Sequence, residues 1–195
     1  LHEPLGLLQL DGDLYTTQRS ELTRLRDLDG DDVADEYLTI AKGWGVTGHY
    51  HEYAYGPKLD GDGNLWITLN IGRGLKGPEL KRTLSDAAQG YRQGRWRGWG
   101  MKVTPTGDLV PVCAGMRSPS GLGPNAVGDM FYTDQQGNWV ATNSLHHMRS
   151  GVFFHHAEAL ASMNEPGSTI QPFVALAGVE LIDGRLICRE GLLRR

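Results

Sequence analysis

The chain has 195 residues, 27 of them glycine, and 39% of it is hydrophobic, with 5 Trp and 7 Tyr. That composition excludes a disordered chain, and glycines without a three-residue period exclude a collagen-like one. A net charge of -4 and a pI near 6.0, with no long basic run, argue against nucleic acid as the main partner. No apolar stretch reaches the ~20 residues that a membrane-spanning helix needs.

The chain opens on Leu1-His2-Glu3-Pro4-Leu5, without the basic and apolar regions of a signal peptide. Such a start fits either a mature end or a cut through a longer chain. A phrase then recurs: Asp11-Gly-Asp-Leu-Tyr-Thr-Thr17, Asp62-Gly-Asn-Leu-Trp-Ile-Thr68 and Val127-Gly-Asp-Met-Phe-Tyr-Thr133, with a weaker copy at Thr106-Gly-Asp-Leu-Val110. Each copy pairs a glycine turn with β-branched and aromatic residues, the pattern of a tight turn entering a strand. The spacing is somewhat longer than the ~40–50 residues of ordinary propeller repeats, as expected for blades with loop insertions. The fold class expected is therefore all-β, a partial β-propeller of about three to four blades.

Between the first two phrases lies an acidic run, with Asp27, Asp29, Asp31 and Asp35 at alternating or near-alternating positions and the Val33 carbonyl among them. Hard cations take several converging oxygens, so these five residues are the expected calcium ligands. Asp32 and Leu38 depart from that pattern, where a glycine and a bidentate Glu would stand. The alternative is a solvated acidic turn without metal. After the second phrase, residues 78–88 carry Leu80 and Leu84 four apart behind a proline and read as a short helix, part of an insertion over about 76–95. The basic, aromatic run 91–99 that follows reads either as a lid over one face or as a surface excursion.

Six of seven histidines are clustered, as His49/His51, His146/His147 and His155/His156. His49 and His51 would share a face in a strand, whereas adjacent histidines cannot. Either of the first pair suits general-base work near neutral pH. Arg117, between glycine and proline turns, suits a bidentate carboxylate, or else a salt bridge between blades. Asp134 falls at a strand end, where rigid scaffolds often place ligand-binding groups. Cys113 and Cys188 match no metal spacing and are open to pairing or to remaining buried thiols.

Residues 115–123, 125–140, 15–31 and 43–57 together resemble the dehydrogenase-like propeller of secreted, planctomycete-type membrane-bound dehydrogenases, many of them fused to a haem-binding segment. The resemblance covers about residues 5–165. More distantly, the chain is similar to soluble quinoprotein glucose/sorbosone dehydrogenases, which are six-bladed. It implies a secreted or periplasmic protein that oxidises a sugar or alcohol with the quinone PQQ and passes electrons to a fused or separate haem acceptor. It further implies His51 as catalytic base and Arg117, with His49 and Asp134, as cofactor-binding residues. Ser118 stands where that family has Asn, and His51 lies closer to the Tyr55-Gly56-Pro57 turn than the family's base does. Two alternatives accompany this expectation: a non-catalytic carbohydrate- or protein-binding scaffold, and a metal-dependent lactonase-type hydrolase. Residues 1–168 are expected to form the blades and 169–195 a divergent end, a length short of six full blades.

Overall fold

The computed structural model describes residues 1–46, 51–71, 95–135, 142–154, 156, 159, 166–168, 170, 179–182 and 185–188. The helix expected at 78–88 lies outside them. Strands β1 (Leu7–Leu10), β2 (Asp13–Thr17), β3 (Glu21–Arg26) and β4 (Glu36–Lys42) form one antiparallel meander. A second follows in β5 (Ala54–Leu59), β6 (Leu65–Leu69), β7 (Trp99–Val103) and β8 (Leu109–Ala114). A third has three strands, β9 (Gly121–Pro124), β10 (Met130–Asp134) and β11 (Ser144–His147). A hairpin of β12 (Val179–Ile182) and β13 (Arg185–Cys188) makes a separate two-stranded sheet. The chain is all-β, and its sheets are successive blades of a partial propeller, with the first strand of the middle blade, β5, packed against β1 and β9.

Each of the three clear copies of the repeated phrase forms the turn between the first two strands of its blade. Asp11 and Gly12 take φ of 52° and 89°, positive at both central positions as a two-residue hairpin requires. The second and third turns share another form. Gly63 donates its N–H to Asp60 O and Gly128 donates to Asn125 O, while the Asp60 and Asn125 side chains accept from amides further round the turn. The weak copy at Thr106-Gly107 has this same form, with Gly107 donating to Thr104 O, but it joins β7 to β8. Sequence likeness here reports turn chemistry, and only three of the four copies report blade position.

Side chains of a strand alternate between its two neighbours. In β6, Leu65, Ile67 and Leu69 enter the core shared with the first blade, alongside Leu22, Trp99, Met101 and Val103. Trp66 points the other way, into a core with Val112, Met116, Met130 and Tyr132 of the third-blade side. Every residue of β6 is buried, because the middle blade has a neighbour on both faces. The blades meet closely at their first strands: a Cβ on Gly6 would collide with the carbonyl of Gly56.

In a meander, the loop between strands two and three and the connection to the next blade share one end, here called upper. Arg97 ties the upper loops together from a fully buried position. Its Nε donates to Gly45 O (2.8 Å), Nη1 to Glu52 O (2.8 Å) and Tyr53 O (2.9 Å), and Nη2 to Arg19 O (3.3 Å). Trp44 Nε1 donates to the same Arg19 carbonyl at 2.8 Å. Burial pulls the Arg97 guanidinium down to about 10, with buried Glu52 opposing the shift and Arg19 adding to it, so the group stays charged at neutral pH. Trp96 and Trp99, flanking it in sequence, pack edge to face on each other, with centroids 5.1 Å apart. The described part of the run read as a lid is thus a buried seam. Replacing Arg97 by Met leaves these carbonyls without their donor and is expected to cost about 3–5 kcal/mol. Arg97→Lys should fall nearly as far, since one ammonium cannot span the same acceptors. Urea unfolding checks both, and a wild-type midpoint for Arg97→Met would show that the loops hold without it.

Candidate functional site

The connection from β8 to β9 carries Arg117 across the upper end, and hydrogen bonds to its neighbours fix its path. Met116 donates its N–H to Gly98 O, Arg117 O accepts from Ile71, and Pro119 O accepts from Thr68 Oγ1. Asp134, the last residue of β10, holds the centre of the loop. Its Oδ2 accepts from the Arg117 amide at 2.8 Å, and its Oδ1 accepts from the amides of Ser118 (2.7 Å) and Gln135 (2.9 Å). The sequence places Asp134 at a strand end, and its carboxylate there grips the backbone of the Arg117 loop.

The Arg117 side chain is buried, and its Nη1 donates to Gln135 Oε1 at 2.8 Å. Among the described residues no carboxylate pairs with this guanidinium, so the salt bridge between blades is not formed there. His156 stands close by, its own N–H donating to Gly115 O. Burial pushes the His156 imidazole down to about 4, with Asp134 opposing and Arg117 adding to the shift. At neutral pH it is therefore uncharged, leaving Arg117 as the cation of this corner.

His51 reaches the same end of the molecule through Asn70. Its carbonyl accepts from Asn70 Nδ2 (2.7 Å) and from the Tyr53 amide (2.9 Å), while Asn70 donates its own amide to Tyr53 O. The pair Asn70-Ile71, just past β6, thus links His51 on one side to Arg117 on the other. His49 lies outside the described residues. His146 and His147 diverge as adjacent strand residues must: His146 packs on Tyr132 and Phe154, and His147 stacks on Phe131. Cys113 is a free, buried thiol, pushed up by burial.

The acidic run joins β3 to β4 and so lies at the opposite, lower end. Carboxylate oxygens of Asp27, Asp29 and Asp35 lie within 4.8 Å of one another, all three residues being exposed. Asp31 stands apart from that trio, its Oδ1 accepting from the Val33 amide at 2.9 Å. Asp27 accepts from Gly30 and Asp32 amides, and the Gly30 bond foremost holds its carboxyl below the ordinary range. Asp32 takes a φ of 65°, meeting the turn's demand for a left-handed residue without glycine. The expected calcium ligands and the Arg117 corner are therefore two separate places.

Sequence reasoning missed Arg97, Asn70 and His156 as organising residues. Arg97 was visible only as one cation in a basic run, and Asn70 carries no spacing signal. The His155/His156 cluster was the one available pointer.

No family model matches this sequence, and no curated protein does either. Solved structures do match in fold. The crystal structure of a glucose dehydrogenase aligns with a TM-score of 0.57 at 16% identity, over 77% of this chain and 48% of that one. A second glucose dehydrogenase aligns with a TM-score of 0.50 at 14% identity, over 82% of this chain and 70% of that one. The chain thus spans about half the length of the first protein, and the likeness is one of fold.

The buried neutral His156 makes stability depend on pH. Between pH 6.5 and about 4 the unfolded chain binds a proton that the folded chain refuses, so stability falls as pH falls through that window. The loss amounts to about 3 kcal/mol at most. His156→Gln should flatten this part of the profile in urea unfolding followed from pH 7 to pH 4. An unchanged slope in the variant would show that another group carries it.

Proposed function

We propose that the chain is the propeller module of a secreted dehydrogenase-like protein whose upper loops oxidise a sugar or alcohol with a quinone cofactor. The observation that carries this reading is the buried Arg117 guanidinium, unpaired by any described carboxylate and set in a loop fixed by Asp134. Such a group suits a planar ligand bearing carboxylates, as PQQ does, because a guanidinium donates two parallel bonds to a carboxylate. The glucose dehydrogenase folds support the class of reaction and no more.

PQQ, when bound, supplies a two-electron acceptor. Arg117 would hold its carboxylate, and Asp134 keeps the Arg117 loop in place through backbone amides. The neutral His156 adds no second charge to the corner. His51 would accept the hydroxyl proton of the substrate on its imidazole while the carbon-bound hydride is taken up by the quinone's two-electron capacity, with Asn70 holding the His51 backbone. His49 is a further candidate on that connection. A haem group, fused or separate, would be the electron acceptor in this reading. Calcium, in this reading, belongs to the lower loop of Asp27, Asp29 and Asp35 and stabilises the blade rather than the chemistry.

A dye-linked oxidation assay over sugars and alcohols, with PQQ and calcium added, tests the proposal. Turnover is expected, together with a change in quinone absorbance on mixing. Arg117→Ala should weaken quinone binding by at least about tenfold, equivalent to 1.4 kcal/mol. His51→Gln should keep that binding and lose turnover. No absorbance change and no turnover in the wild type would overturn the proposal.

One observation favours a second reading, a non-catalytic scaffold for anionic glycans or peptides. The Asp134 carboxylate is fully engaged with three amides, which leaves Arg117 as the prominent charged group of the corner. Glycan-array binding lost in Arg117→Ala, without redox activity, would select it. The lactonase-type alternative needs acidic ligands converging near the loop face, and the described carboxylate trio lies at the other end.

A further inference from the structure

We propose that Asn70 reads a second hydroxyl of the substrate, next to the one whose proton His51 takes, so that the site prefers cyclic vicinal diols to single alcohols. The proposal rests on the dehydrogenase reading only for the part that His51 plays. Alternation along β6 sets the direction of Asn70. Leu65, Ile67 and Leu69 enter the core shared with the first blade, while Thr68 turns the other way and donates to Pro119 O. Asn70 continues the Thr68 side, toward the Arg117 connection.

Asn70 is 2% exposed, and its carboxamide is half used. Nδ2 donates to His51 O at 2.7 Å, whereas Oδ1 accepts from no described group. Turning the carboxamide over would set Oδ1 against the His51 carbonyl, acceptor against acceptor, so the free end is the oxygen. The backbone holds it there, because the Asn70 N–H donates to Tyr53 O at 2.9 Å. A buried acceptor without a donor is costly, and a ligand hydroxyl supplies the donor it lacks. Such a site discriminates against the analogue without that hydroxyl, which leaves the buried oxygen unpaired.

The same side carries two aromatic rings. Tyr55 stands opposite Thr68 in the β5–β6 register, and Tyr53 lies two residues before it. Both are half-buried, with centroids 6.3 Å apart and rings tilted by 53°. Burial foremost, and then Tyr53, pushes the Tyr55 phenol up, so at neutral pH it is a protonated donor. Their strand packs against β9, which the Arg117 connection enters. Tilted rings offer apolar area to the carbon face of a cyclic ligand, and their polar tips suit its hydroxyls. A cyclic diol meets the demands of the rings and of Asn70 together.

Saturation-transfer NMR on the full chain, without quinone, tests this with vicinal cyclohexanediol (cis and trans) and cyclohexanol as probes. One diol at least should bind about tenfold more tightly than cyclohexanol. Asn70→Ala should remove that preference, whereas Asn70→Asp keeps an oxygen in place and should retain it. Tyr55→Leu should weaken both classes of probe and leave their ratio unchanged. The ratio of two probes on one sample is insensitive to a loss of folded protein. Should Asn70→Ala not fold, Asn70→Ser, with its shorter side chain, serves in its place. No diol binding, equal binding of diol and cyclohexanol, or a preference that survives in Asn70→Ala would overturn the proposal. Diol preference without dye-linked turnover would keep this inference and remove the dehydrogenase reading, and turnover with equal binding would do the reverse.

Discussion

The upper end of this molecule depends on one buried cation. Arg97 carries five N–H donors in a fixed fork and makes four bonds with them to carbonyls of two separate loops, the β2–β3 turn and the β4–β5 connection. Loops at the mouth of a propeller present backbone groups that no sheet satisfies, and burying those groups unpaired is costly. A planar guanidinium settles several of them together, which a hydrophobic plug could not do. The ordered positions of Asn70, His51 and the 43–46 segment follow from that arrangement. Trp96 and Trp99, neighbours of Arg97 in sequence, are buried with it and pack edge to face on each other.

The two ends of the blades differ in how they meet the same demand. Lower turns satisfy themselves: Asp60 accepts from Asp62, Asn64 and the Trp66 indole within a few residues. Burial by itself would raise the Asp60 carboxyl, and those hydrogen bonds outweigh it and hold it low. Upper loops instead borrow partners from neighbouring blades, as Asp134 does for Arg117 and Ser118. Local bonding makes the lower turns interchangeable between blades. Borrowed bonding makes each upper loop individual, and that is where a specific ligand site can arise.

This division explains what the sequence shows and what it hides. The recurring glycine phrase was legible because a turn with positive φ and a half-buried strand each leave a local signature. Its alternation even carries the blade-facing assignment, Tyr15 with Trp66 and Leu65 with Met130. The bonds of the upper end have no such signature. Arg97 meets Arg19 across 78 positions of chain, and nothing near either residue announces the contact. The same run of arginines and tryptophans reads as a mobile cover or as a buried clamp until its partners are known. Asp134 is legible from its strand-end position, but that its carboxylate accepts from the amides of Arg117, Ser118 and Gln135 is not.

Charge in the Arg117 corner follows from these contacts. Asp134 directs its carboxylate at backbone amides, so its negative charge is spread along the loop rather than opposed to the guanidinium in an ion pair. His156, stripped of water, gives up its proton at neutral pH and does not compete for an anion. The Arg117 guanidinium is buried with a bond from Nη1 to Gln135 Oε1 and no described carboxylate against it, the setting in which an anion is proposed to bind. An arginine serving structure alone would be expected to resemble Arg97, with its donors divided among carbonyls of the fold. Arg117 instead commits one nitrogen to Gln135 and has its backbone held rigidly in place. That contrast between two buried arginines at one end of the same blades is what the proposed binding role of Arg117 rests on.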